Sequence, residues 1–227
     1  MRLALIACLL LCSPFASAQD DEGFGDGGDL PPTLEPVTDV YLFDSYGGRI
    51  ETRLDADLDG DGLVDCAAVI RDDDAETRKL VVLIGFRGDF DQGHAQAGEM
   101  AMDPYPLGAA SLSVKKGVLI VEDLTGGTSA ISSTWRFRYD RDAQRMRLIG
   151  DDVSYYSRTN VHDAVEVSTN RLTGQRTRQV LALNVDPAPD DDAAYLPQPA
   201  TRETVDRAPV WMEDAPSPED TLALGGE

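Results

Sequence analysis

Residues 133–140 read Ser-Thr-Trp-Arg-Phe-Arg-Tyr-Asp, with an aromatic side chain at every second position and arginine between. A strand turns successive side chains to opposite faces, so this segment has one aromatic face and one basic face. The same period of two recurs along the chain. Residues 49–56 are extended, 66–71 (CAAVIR) form a short apolar strand, and 79–86 (KLVVLIGF) form a buried strand after a turn at Asp72–Asp74. The segment LSVKKGVLIVEDL breaks at Lys116-Gly117, as a hairpin needing positive φ requires, and EVSTNRLTGQRTRQVLAL folds back at Leu172-Thr173-Gly174. No window sustains a period of 3.6 beyond two turns. The fold class is therefore all-β, built of antiparallel sheets and hairpins. Residues 87–110 are punctuated by Gly and Pro without a clear period and read as a loop.

Charge divides the chain further. Met1 and Arg2 precede an apolar run and the small-residue exit Ala16-Ser17-Ala18, the pattern of a secretory signal peptide cleaved after Ala18. That predicts export to the periplasm or the exterior. Beyond it, 41 acidic and 19 basic residues give a net charge of −22. Such a balance argues against nucleic acid, whose phosphates require basic groups, and against an anionic membrane surface. No later stretch is long and apolar enough to span a membrane. A basic periplasmic or secreted protein is the partner this charge suits. Residues 19–36 read as an acidic Gly/Pro-rich linker, 37–185 as a single β-domain, and 186–227 as an acidic Pro-rich tail. In that tail the Val210-Trp211-Met212 patch is expected to dock on its own domain.

Catalytic signatures are few. Cys8 and Cys12 leave with the leader, and Cys66 stays as one thiol in an apolar strand, where it reads as a small buried residue. The histidines are His94 and His162. A Ser-His-Asp system would need one of them, yet no G-x-S-x-G elbow is present, and their spacing suits no zinc site. Carboxylate pairs carry little weight in so acidic a chain. The expectation is a protein without enzymatic activity. Arg136, Arg138, Arg145 and Arg147 make a basic strand face, either paired with neighbouring carboxylates or recognising an anionic polymer.

Chemistry concentrates in residues 55–65, Asp-Ala-Asp-Leu-Asp-Gly-Asp-Gly-Leu-Val-Asp. Two registers of a D-x-D-x-D-G loop are possible. Counting from Asp55 puts Leu63 at the ninth position, without a side-chain oxygen. Counting from Asp57 places Asp57, Asp59 and Asp61 first, third and fifth, Gly62 sixth, Leu63 seventh through its carbonyl, and Asp65 ninth. Calcium prefers six to eight oxygen ligands from carboxylates, carbonyls and water. The second register supplies them. An EF-hand would need a glutamate at position twelve, where this chain has Ala68 in a strand-like run.

Residues 53–85, with DLDGDGLVD followed by CAAVI and LVVLIG, resemble one FG-GAP or VCBS-type repeat. The resemblance implies a calcium ion held between strands by Asp57, Asp59, Asp61, the Leu63 carbonyl and Asp65. It also implies a propeller-like arrangement of sheets, although no second D-x-D-G loop occurs and a full propeller needs several blades. Residues 103–174 resemble a stretch of exported bacterial β-rich proteins. Some of those are similar to periplasmic inhibitors or immunity proteins acting on peptidoglycan hydrolases of the lysozyme kind. An exported, calcium-binding, protein- or envelope-binding module is therefore the expected function, with hydrolase inhibition the alternative.

Overall fold

The computed structural model describes residues 33–186 and 193–223. The signal peptide 1–18 and most of the 19–36 linker lie outside them. The described residues are all-β in character, with strands in antiparallel pairing throughout and two short helices. A helix α1 (Asp39–Tyr46) is capped by Thr38, whose hydroxyl accepts from the Tyr41 N–H. It leads into β1 (Arg49–Ala56), β2 (Asp65–Asp72), β3 (Thr77–Arg87) and β4 (Gln92–Ala101), a four-stranded sheet in sequence order. The second sheet starts with β5 (Ser111–Lys115), β6 (Val118–Gly126), β7 (Ser129–Asp140), β8 (Arg145–Ser157), β9 (Ala164–Asn170) and β10 (Gln175–Leu183), also in order. The Lys116-Gly117 turn has both residues at positive φ, 55° and 69°, and joins β5 to β6 as the sequence predicts.

Period-two patterning decides which faces meet. Ala67, Val69, Leu80 and Val82 on the first sheet share one core with Leu119, Val121, Trp135, Phe137, Met146 and Leu148 on the second. Phe137, with no exposed surface, contributes on the order of 1.5–3 kcal/mol through burial alone. The other face of β2 and β3, carrying Cys66, Ala68, Ile70, Val81 and Leu83, is covered by Leu42 of α1 and by Val37. Strands covered on both faces lose their alternation and read as continuous apolar runs, which accounts for CAAVI and LVVLI. The four-stranded unit is what a propeller blade would be. It packs on a nine-stranded sheet rather than on copies of itself, so the expected propeller-like arrangement gives way to two sheets with a common core.

Two segments depart from expectation. Residues 92–101 form β4 although they read as loop: Gln-Gly-His-Ala-Gln-Ala-Gly-Glu-Met-Ala has little strand propensity, and pairing with β3 supplies what the side chains do not. Gly98 lies there because a Cβ would come within 2.7 Å of the Met212 sulfur. The expected tail is also part of the domain. β11 (Tyr195–Pro197) and β12 (Thr201–Thr204) pair with β10, and β13 (Val210–Trp211) pairs with β8. A 3-10 turn at Met212–Asp214 and the helix α2 (Pro218–Leu222) complete a strap in which Met212 and Leu222 are fully buried. Its prolines suit an extended path, and its few apolar residues fall where the inner face of the second sheet is otherwise uncovered. Trp211 docks on its own domain as expected, with Arg145 over its ring at 4.8 Å.

One buried ionic group ties these parts together. Arg78 of β3 donates from Nε and Nη2 to Glu51 of β1 at 3.0 and 2.7 Å, and from Nη1 and Nη2 to Asp123 of β6 at 2.8 and 2.9 Å. Nη1 also reaches the Asp103 carbonyl. All five N–H groups of the guanidinium thus have acceptors. Burial works against the arginine's charge, but the bonds to Asp123 and Glu51 overcome it and raise its pKa. Burial likewise raises the Glu51 carboxyl, but the hydrogen bonds from Arg78 and the Ala110 N–H outweigh it, so the net shift is downward. A carboxyl lowered in this way stabilises the fold above its ordinary range, near pH 4, and that contribution is lost as pH falls through the lowered value. The substitution Arg78→Met strands two buried carboxylates and is expected to cost about 3–5 kcal/mol in denaturant unfolding at pH 7. The loss should shrink as pH is lowered and the carboxyls protonate. A cost under about 1 kcal/mol, within the range of an exposed pair, would contradict the clamp.

Candidate metal centre

The aspartate loop is the connection between β1 and β2. Its glycines permit the bend: Gly60 and Gly62 have φ of 80° and 88°, a region that favours residues without Cβ. Each aspartate of the predicted first, third and fifth positions then hydrogen-bonds the loop's own backbone. Asp57 accepts from Gly60 and Gly62 N–H at 2.6 and 3.1 Å, Asp59 from Asp61 N–H at 3.0 Å, and Asp61 from Leu63 N–H at 2.7 Å. These turns hold ligand oxygens of all three residues within 4.8 Å of one another. Asp57 and Asp61 are exposed and Asp59 is half-buried. A group of carboxylates alone, without sulfur or imidazole, suits a hard cation. The cluster can hold a metal ion.

Asp65 stands apart. It is fully buried, outside the group of three, and its oxygens accept from Leu58 N–H at 2.6 Å and Gly85 N–H at 2.8 Å. Burial raises its carboxyl pKa, the two amide bonds oppose that rise, and the charges of Asp59 and Asp61 add to it. Asp59 is raised as well, by burial first, with the charge of Asp61 contributing. Asp65 thereby fixes both ends of the loop to the sheet: Leu58 inserts into the core between the sheets, and β3 approaches the loop closely at Gly85. A Cβ on Gly85 would lie 3.0 Å from the Val64 carbonyl and 2.7 Å from Leu34, so only glycine lets β3 come close enough for its N–H to reach Asp65. His94 of β4 completes the support with a ring nitrogen 2.9 Å from the Val64 carbonyl. Leu63, half-buried, lies in the loop between the aspartates and this support. Asp55, in the rejected register, is paired with Arg53 at 2.9 Å.

Other candidates resolve differently. Cys66 is buried beside Asp55 and Arg53, and burial pushes its thiol up to about 12, the opposite of the lowering that activates a cysteine. Sequence reasoning missed that Ser129 and His162 meet, Oγ to Nε2, at 2.8 Å. The far ring nitrogen contacts the Asp163 carbonyl at 2.6 Å, while the Asp163 carboxylate is engaged by the Leu183 N–H. Among the described residues no carboxylate orients the imidazole as a triad requires, and His162 lies stacked on Tyr155 at 4.8 Å. On the basic face, Arg136 pairs with Asp152 at 2.7 Å and Arg145 with Glu213 at 3.1 Å. Half of that face is already neutralised by the chain itself.

Comparison with protein families, curated proteins and solved structures returns no match. No helix among the described residues is long and apolar enough to cross a membrane.

Asp65 therefore carries structural weight independent of any ion. Replacing it by alanine orphans two buried N–H groups, each costing about 1–3 kcal/mol. Thermal unfolding of Asp65→Ala should show this loss equally in calcium and in chelator. A loss confined to the calcium arm would instead make Asp65 a ligand only.

Proposed function

We propose that this protein is an exported, non-enzymatic β-module whose 57–65 loop binds one calcium ion through Asp57, Asp59, Asp61 and the Leu63 carbonyl. The observation that carries this reading is the convergence of three carboxylates within 4.8 Å on a loop fastened by its own amides. Such a loop is organised before the ion arrives, so binding requires little reordering. The repulsion among the aspartates is what the ion relieves. The FG-GAP or VCBS-type spacing of the motif supports the same assignment. Asp65 belongs to the proposal as the group that holds the ligands in place, and through any remaining lone pair as the ninth-position ligand that the spacing implies.

The partner we propose is a basic protein, drawn by the acidic surface. Inhibition of a peptidoglycan hydrolase is the specific form of that reading, since it supplies a basic partner in the same compartment.

Calcium binding is tested by melting. Extracellular calcium modules bind at about 10⁻⁴–10⁻³ M. At 2 mM calcium and a Kd near 10⁻⁴ M, linkage stabilises the fold by about 1.8 kcal/mol, which raises Tm by about 4–7 °C in a domain of this size. Magnesium should do less, because it demands compact octahedral geometry. Asp61→Ala should abolish most of the shift, and Asp55→Ala should leave it intact. A Tm indifferent to calcium and chelator removes the site; equal losses from both variants remove the register.

A further inference from the structure

The strap that closes the second sheet leaves a cavity of about 530 Å³ against the end of β4, the segment 102–105 and strands β6 and β7. Its size is that of a small-ligand pocket, with room for one long side chain. Trp135, Met100 and Met102 supply its apolar floor, and Pro216 and Pro218 of the strap line it as well. Trp135 donates to the Pro216 carbonyl at 3.4 Å, which joins floor to strap. The polar part of the lining has one sign. Asp103, Asp123, Glu213, Glu219 and Asp220 all contribute, and no basic side chain does.

Two of the five carboxylates are ion-paired, while Asp103 and Asp220 accept only neutral donors, the Tyr105 N–H and the Ser217 hydroxyl. Asp123 is held by Arg78 and Glu213 by Arg145. Asp103, Glu219 and Asp220 have no ion pair among the described residues, and all three are exposed at the cavity. They do not converge as metal ligands do: among the described residues the one group close enough to share an ion is Asp57, Asp59 and Asp61. An inorganic cation would lack a cage here. An anion would be repelled, and an uncharged apolar ligand would cover the carboxylates without pairing them. A cation carried on an apolar stem satisfies both parts of the lining, with its methylenes against the apolar residues and its charge at the acidic rim.

We propose that this cavity receives a lysine or arginine side chain of a basic partner protein. The assignment rests on the reading of the partner as basic and is independent of the calcium site. Concave acidic walls focus the field of a chain with a formal charge of −21 and bring such a side chain to one place on the surface.

The test is calorimetric titration of the full chain with a blocked trilysine peptide, in calcium and in chelator alike, with a blocked triglutamine peptide as control. Trilysine should bind saturably at one site, more weakly as salt rises, and triglutamine should not bind. Glu219→Gln and Asp103→Asn should each weaken trilysine about threefold, the range of an exposed charge contact. Asp44→Asn, which removes an equal charge from the exposed face of α1, should leave the affinity unchanged. Equal weakening by all three variants would overturn the proposal in favour of diffuse attraction, as would the absence of saturable binding. A basic lysozyme-type enzyme is then titrated against the same variants. If it binds wild type and Glu219→Gln equally well, the cavity fails while the basic partner stands; if it binds neither, and trilysine still discriminates the variants, the cavity stands and that partner falls.

Discussion

The guanidinium of Arg78 is the point at which the two sheets and their connection become one object. It comes from β3, its carboxylate partners come from β1 and β6, and it also holds the Asp103 carbonyl. The connection itself is pinned around it. Met102 N–H donates to the Arg78 carbonyl, Ala110 N–H donates to Glu51, and the Thr52 hydroxyl donates to the Ala110 carbonyl. Apolar contact alone lets two sheets slide, because it has no direction. Five directed bonds to one planar cation do not. Replacing such a group by well-packed apolar residues can be neutral or even stabilising, so its value here is registry: it fixes the sheets, and with them the walls of the acidic cavity, in one arrangement.

Asp65 does for the metal loop what Arg78 does for the sheets. A carboxylate buried without a cation is costly, and here two amides offset part of that cost. The loop is therefore held to β3 before any ion binds, and its three exposed or half-exposed aspartates are left facing one another. Repulsion that a flexible loop would relieve by opening is retained, because Leu58 on one side and Gly85 on the other keep the loop closed. The calcium proposal follows from this stored repulsion and from the oxygen-only chemistry of the group.

Legibility in the sequence followed the physics of each part. Alternation is a local signal, so the strands around Trp135 and the Lys116-Gly117 turn could be read directly, as could the aspartate loop and its glycines. Strand β4 could not, since its small and polar residues owe their conformation to β3 and to Met212 filling the space above Gly98. The C-terminal strap hid for a similar reason: proline and acid dominate its composition, and the few residues that dock it, Trp211, Met212 and Leu222, are scattered. Asp65 occupies the ninth position of a ligand pattern, and spacing alone gives no sign that its carboxylate also accepts from two buried amides. Arg78 gives no signal, because an arginine flanked by Thr77 and Lys79 reads as the solvated start of a strand. Pairs such as Ser129 with His162 depend on residues 33 apart meeting across a hairpin end, and no motif announces them.

Tyr139 lines the same surface hollow as Asp59 and Asp61, close enough for their charges to raise its pKa after burial. That placement allows the proposed ion to be tested for directly. Terbium, an oxygen-seeking analogue of calcium, emits when a neighbouring tyrosine absorbs light and passes the energy across. Titration of the full chain with terbium should give sensitised emission that saturates at one ion per chain, is displaced by calcium, dims in Tyr139→Phe and disappears in Asp61→Ala. Emission that survives Asp61→Ala, or that calcium cannot displace, would contradict the metal centre described for the 57–65 loop.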